Sequence, residues 1–250
     1  VAEIRTGEAD SALKNYARRG MLAVEKNPLD ALKKAVSAWV LSGGRAKPQD
    51  HLLFVQTRAE ARAANRLCQQ QRLRECRRNK AELRLGKGSY YVGDRVRFNK
   101  PYRSKFIENG YAGTVTSIKR GQIIVRLDQE LNAKAKRRGG SRIVTLSKRD
   151  VKASQMSLGF AVTTHKMQGQ TVAHSYLILS GGMTDREMTY TQTTRGKLST
   201  RLFTDELSAG EELQDLVRNV AKSRAKTMAH DLRHRKQSRL HNEPTIEHGV

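Results

Sequence analysis

The hydrophobic pattern changes period several times along the chain, and each change predicts a different element. Ala9–Arg18 and residues 28–39 carry apolar side chains at helical spacing, with Pro28 in a first turn, where its missing N–H costs nothing. Residues 1–45 therefore read as a helical segment with Trp39 in the core, ended by Ser42-Gly43-Gly44-Arg45. His51–Val55 is an unbroken apolar run, the signature of a strand buried on both faces in a parallel sheet. It leads into a helix predicted from Ala59 to about Leu83, where Thr57 and Glu60 have the spacing of a capping box. The period then drops to two: residues 90–98, 110–118, Gln122–Leu127 and Ile143–Leu146 alternate between glycine-bearing turns, as in a small antiparallel barrel. Short apolar runs at 159–162 and 175–179 return to the buried-strand pattern, and one more strand is expected at 201–203. Residues 206–250 read as a charged amphipathic helix and a tail.

The pattern predicts an α/β chain in which a parallel sheet is interrupted by a small β-barrel. Its expected divisions are a helical segment 1–45, a first part of the α/β domain 46–87, a barrel insertion 88–152, a second part 153–205 and a basic tail 206–250. Its 250 residues leave room for one or two domains with real cores.

Charge narrows the partner. Lys and Arg number 48 against 24 Asp and Glu, a formal net charge of +24, which points to a polyanion and first of all to nucleic acid. From Arg72 to Lys105 there are 12 basic residues against 3 acids. No long apolar stretch or signal peptide supports the rival, an anionic membrane. Aromatic residues at 5% argue against an extensive base-stacking platform. The only two cysteines, Cys68 and Cys76, lack metal-ligand company and fit a reducing cytoplasm. His230 and His234 are spaced i,i+4 without a third ligand, so a solvated helix is the better account and no metal site is expected.

Candidate chemistry gathers at three places. After the apolar run 159–162 come Thr163, Thr164, His165, Lys166, Gln168, Gly169 and Gln170. At the C-terminal end of a strand, such groups can meet phosphate oxygens and a nucleic-acid backbone. The run Tyr-Thr-Gln-Thr-Thr ends in Arg195, with Lys197 two residues on. Lys136, Arg137 and Arg138 form the basic tip of a hairpin that can touch phosphates.

AVTTHKMQGQTV resembles the fifth sequence motif of superfamily 1 DNA helicases of the conjugative relaxase and exonuclease-subunit type, and YTQTTRGK resembles the sixth. LLFVQTRAEARAANRL is similar to the fourth. The stretch GDRVRF…NGYAGTV…IIVRLD resembles the SH3-like barrel inserted between the fourth and fifth motifs, and also small RNA-binding barrels of ribosomal and elongation proteins. The resemblance implies a second RecA-like domain with an SH3-like insertion. It implies Arg195 as the arginine finger, Thr57, Arg58, Gln168 and Gly169 toward the nucleotide, and Thr163, Thr164, His165 and Lys166 toward DNA. Arg58 is expected as a neighbour of Arg195. The chain departs from the usual sixth motif at Gln192, Gly196 and Lys197.

A complete motor of this kind needs a phosphate loop, yet no G-x-x-x-x-G-K-[ST] occurs. The resemblance therefore implies ATP and Mg²⁺ only together with a first RecA-like domain, in cis or in trans. The isolated chain is expected to be inactive as an ATPase. Beginning without methionine, it reads as the interior of a longer protein. The expected function is the C-terminal half of an ATP-dependent single-stranded DNA translocase. The alternative is a non-enzymatic nucleic-acid-binding module using the barrel and the basic helices.

Overall fold

A computed structural model describes residues 2–75, 82–85, 88–130, 133, 137–163, 171–181 and 184–223. In chain order the elements are α1 (Ala2–Thr6), α2 (Ala9–Arg18), β1 (Leu22–Glu25), α3 (Pro28–Leu41), β2 (His51–Val55) and α4 (Arg58–Glu75). There follow β3 (Glu82–Leu85), β4 (Gly88–Tyr91), β5 (Arg95–Phe98), β6 (Ala112–Lys119), β7 (Gln122–Leu127), β8 (Ile143–Leu146) and α5 (Lys148–Ala153). The described elements close with β9 (Met156–Leu158), β10 (Ala161–Thr163), β11 (Val172–Ile178), α6 (Arg186–Thr193), β12 (Gly196–Asp205), α7 (Glu206–Ala209) and α8 (Gln214–Ala221).

The framework is a five-stranded, all-parallel sheet in the order β1-β12-β11-β2-β10. All five residues of β2 are buried, as its continuous apolar run requires. Alternate side chains serve two cores. Leu53 and Val55 pack with Trp39, Phe160, Tyr176 and Phe203 under α3 and α4. Leu52 and Phe54 pack with Leu13, Leu177, Leu202 and Leu216 under α1, α2 and α8. Truncating a side chain as enclosed as Leu53 to alanine typically costs about 2–5 kcal/mol.

Residues 1–45 are not wholly helical. Leu22–Glu25 is an edge strand of the parallel sheet, paired from Leu22↔Leu202 to Glu25↔Asp205. Four residues are too few to display a period, and the partner lies some 180 positions away, so pairing alone makes this segment a strand. β12 is likewise longer than the expected 201–203, because both its neighbours extend the ladder.

The antiparallel unit has its own core, built from Leu83, Val96, Phe98, Val115, Ile123, Val125, Leu127 and Leu146 among others. Its strands hydrogen-bond as two ladders, β8-β7-β6-β5-β9 and β3-β4. It begins before Gly88 and ends after Lys152. β3 pairs with β4 (Glu82↔Tyr91), and β9 pairs with β5 (Phe98↔Met156). The helix expected to reach Leu83 is described as far as Glu75, and Leu83 belongs instead to β3, 2% exposed in the unit's core. Strand alternation places Val96 and Phe98 inward, which turns Arg95 and Arg97 to the outer face. The chain leaves β9 and enters β10 across Gly159 and Phe160. A Cβ on Gly159 would stand 3.0 Å from the Val96 carbonyl carbon, so the two sheets meet there with little space.

Candidate nucleic-acid interface

A groove of about 650 Å³ lies between α4, the edge strand β10 and the antiparallel unit. α4 starts here because its N-terminus is capped: the Thr57 hydroxyl accepts from Glu60 N–H at 3.1 Å, and the Glu60 carboxylate accepts from Gln56 and Thr57 N–H at 2.9 Å each. The carboxylate thus occupies the two amides just before the helix and brings negative charge to its N-terminus, where a phosphate would otherwise be favoured.

Arg58, Arg62 and Arg66 follow at intervals of four, so they form one row along α4, with about 6 Å of rise between successive members. All three are exposed and line the groove, and none has a hydrogen bond or ion pair among the described residues. Like charges at this spacing destabilise a helix by about 0.2–0.5 kcal/mol per pair, so local helix stability does not account for the row. The successive spacing is close to that of phosphates along an extended strand.

Asn65 fixes the groove's floor. Its Nδ2 donates to Ala161 O at 2.8 Å and to Ala61 O at 2.7 Å, while its Oδ1 accepts from Phe160 N–H at 2.8 Å and Ala161 N–H at 3.0 Å. A 7% exposed amide is thereby satisfied, and it locks the start of β10 to α4. Sequence reasoning missed Asn65; the available signal was a poor helix former in the middle of an otherwise favourable helix. One turn on, Gln69 Nε2 donates to Ser89 O at 2.9 Å and to Asp94 Oδ2 at 2.5 Å, and Arg72 Nη1 reaches Asp94 Oδ1 at 2.8 Å. These contacts seat the antiparallel unit against α4 and set the groove's width.

Thr163 closes β10 opposite Val55, half-buried at the groove. Thr164, His165, Lys166, Gln168, Gly169 and Lys136 lie outside the described residues. Arg137 and Arg138 are exposed in the β7–β8 connection and line neither the groove nor the cleft described below.

Arg195 is elsewhere. It precedes β12, its carbonyl accepting from Val172 N–H at 2.9 Å, so it stands at the N-terminal edge of the parallel sheet. Arg58 follows β2 at the C-terminal edge. At about 3.3 Å per residue and in the observed register, the two are separated by roughly 20 Å along the strands, and they are not neighbours. The Arg195 side chain is half-buried, with no ion pair among the described residues, and its Nε is buried without a hydrogen-bond partner. The end of α6 that carries it is held by Thr200 Oγ1, which donates to Thr193 O at 3.2 Å. Gly196 has a local cause: a Cβ there would lie 2.4 Å from Ser199 O and 2.6 Å from both the Ser175 and Thr200 hydroxyl oxygens.

No protein-family model and no curated protein matches the chain. Solved structures do. The Pif1 helicase from Candida albicans is similar at 13% identity and a TM-score of 0.45, over 86% of this chain and 58% of that one. A Pif1 helicase from Bacteroides in complex with ADP-AlF3 and single-stranded DNA is similar at 18% identity and a TM-score of 0.40, over 70% of this chain and 44% of that one. The chain spans about half the length of the solved structures it matches.

Among the described residues, no group of three or more His, Cys, Asp or Glu is placed to hold a metal ion, and no helix is long and apolar enough to cross a membrane. Cys68, on the core-facing side of α4, is fully buried, and burial pushes its thiol well above the usual range, away from nucleophilic use.

Proposed function

We propose that this chain grips single-stranded DNA in the groove beside α4 and forms the second, nucleic-acid-holding half of an ATP-driven DNA translocase of the RecA-like kind. The observation that carries the proposal is the row Arg58, Arg62, Arg66, three guanidinium groups without partners among the described residues, lining one groove. Guanidinium groups bind phosphate oxygens bidentately and without regard to base, which suits a protein that must move along any sequence. Thr57 takes the role of helix cap and Arg58 that of a backbone contact, in place of the nucleotide contacts expected for both. Thr163 borders the same groove and contributes a hydroxyl to the backbone.

The nucleotide belongs at the other edge of the sheet. The Glu60 carboxylate at the start of α4 would repel a triphosphate, whereas Arg195 has an unspent donor. ATP with Mg²⁺, held by a phosphate-loop domain in cis or in trans, would supply the phosphoryl group whose transfer drives movement. Arg195 would meet its developing negative charge with a planar, permanently charged fork.

Anisotropy titration of a labelled oligothymidylate against salt tests the first half of this reading. Affinity should fall steeply with salt and little with base composition; a flat salt slope overturns it. Joining the chain to a phosphate-loop domain tests the second half, because a purely binding module gives no DNA-stimulated turnover.

A further inference from the structure

On the far side of the β9–Gly159–β10 crossing lies a second cleft, of about 690 Å³, in the seam between the antiparallel unit and the N-terminal edge of the parallel sheet. One wall is the unit's outer face. Register places Arg95 opposite Thr114, Thr114 opposite Arg126, and Arg126 opposite Ile143, so these side chains share one face across four strands. Arg97 lies two residues along on the same face, and Arg142 stands beside Ile143 at the rim. The other wall is the start of β2 and β11, including His51 and Thr171.

Charge in this seam is unbalanced. Four arginines line it against one carboxylate, Asp128, which is taken up by Arg95 (Nη1 to Oδ1 at 2.8 Å, with a second contact from Nη2 to Oδ2). Arg142 is held in place: its Nε and Nη2 donate to Leu127 O at 3.3 and 3.2 Å, Nη2 also donates to Asp128 O at 3.3 Å, and Nη1 pairs with the exposed Glu130. Arg126 is exposed and has no partner among the described residues. Between Arg126 and Arg142 sits Ile143, 59% exposed, an apolar surface of the kind that a sugar or base covers.

We propose that this seam is a second phosphate-binding track, taking the backbone of a separate segment of single-stranded nucleic acid, with Arg126 on a phosphate, Ile143 against a sugar or base, and the anchored Arg142 adding positive charge at the rim. The crossing segment divides it from the groove beside α4, and Arg97, which lines both, lies beneath that divide. The assignment is independent of the α4 groove, since a different set of side chains carries it.

The test is a calorimetric titration of the full chain at low salt with an oligothymidylate of about six nucleotides, within the ~4–16 nucleotides that one single-strand site covers. Two oligonucleotides should bind per chain. Arg126→Glu should weaken one site about tenfold or more and leave the other unchanged. The double change Arg62→Glu, Arg66→Glu should remove the other. Lys119→Glu, an exposed cation lining neither cleft, is the control for net charge. A photo-crosslinking residue in place of Ile143 should capture the labelled oligonucleotide.

Unchanged binding and stoichiometry in Arg126→Glu overturns the proposal, as does an equal loss in Lys119→Glu. Displacement of the oligonucleotide from the seam by equimolar inorganic triphosphate also overturns it, because that marks a small-anion site. If only the α4 reading is wrong, the Arg62, Arg66 variant keeps full stoichiometry while Arg126→Glu still loses a site.

Discussion

Arg72 of α4 and Asp94 of the antiparallel unit form an ion pair at 2.8 Å, with side chains only 10% and 0% exposed. The pair joins two units that have separate cores, and Gln69 and Tyr91 N–H complete the hydrogen bonding of the carboxylate. Removing one member leaves a buried charge unmatched, so Asp94→Ala should destabilise the chain by about 3–5 kcal/mol in urea unfolding. Adding Arg72→Met should recover much of that loss. Gly93→Ala should weaken the same joint, since its Cβ would fall 2.0 Å from Arg72 Nη2 and its φ is +84°. A loss below 1 kcal/mol in Asp94→Ala would show that the joint is not structural.

The arginine row predicts a graded effect. Single alanine substitutions at Arg58, Arg62 or Arg66 should each weaken single-stranded DNA binding modestly and lower the slope of log affinity against log salt by about one. Unfolding midpoints should not fall, because relieving like-charge neighbours slightly favours the helix. Unaltered salt slopes in all three variants would remove the row from the interface.

Arg195→Ala predicts the reverse combination. Joined to a phosphate-loop domain, it should lose about 10³-fold or more in ATP turnover while keeping nucleotide-free DNA affinity. Arg195→Lys should rescue poorly, because an ammonium lacks the planar fork. The roughly 20 Å between Arg195 and Arg58 along the strands makes the two effects separable. Full turnover in the alanine variant rules out a finger role.

His51 gives the chain an acid-side weakness. Burial first, then the neighbouring His174, lower its pKa to about 4, with Asp50 opposing. Its ring stacks on His174 at 4.7 Å, and its Nδ1 lies 3.0 Å from the Tyr176 hydroxyl. The unfolded chain takes up this proton near pH 6.5, whereas the folded chain refuses it down to about pH 4. This contribution to stability is therefore complete above about pH 6.5 and is lost as pH falls toward 4, by about 2–3 kcal/mol. Urea midpoints measured across that range should fall more steeply in the parent than in His51→Gln. Parallel curves would show that His51 is not the group responsible.

Local pattern carried a good part of this protein. The run His51–Val55 announces a doubly buried strand because five apolar residues in succession leave no face for water. The Thr57–Glu60 cap is written in its spacing, and the alternation of Arg95-Val96-Arg97-Phe98 already implies that two guanidinium groups share one face of a sheet. The excess of basic residues, read without any structure, points to a polyanion.

What residues 22–25 become, where the antiparallel unit begins and ends, and which arginines share a site were settled only in three dimensions. Leu22–Glu25 is a strand because β12 offers it an edge, and β3 leaves the helical pattern because Leu83 finds a core formed by strands that follow it. Arg58 and Arg195 carry the same charge and flank similar strands, yet they stand at opposite edges of the sheet, since one follows its strand and the other precedes it. In a parallel sheet the order of strands is set by crossovers that pack helices on either face. No local run of residues encodes which distant strand will lie alongside, so the sites that depend on that order appear only once the sheet has formed.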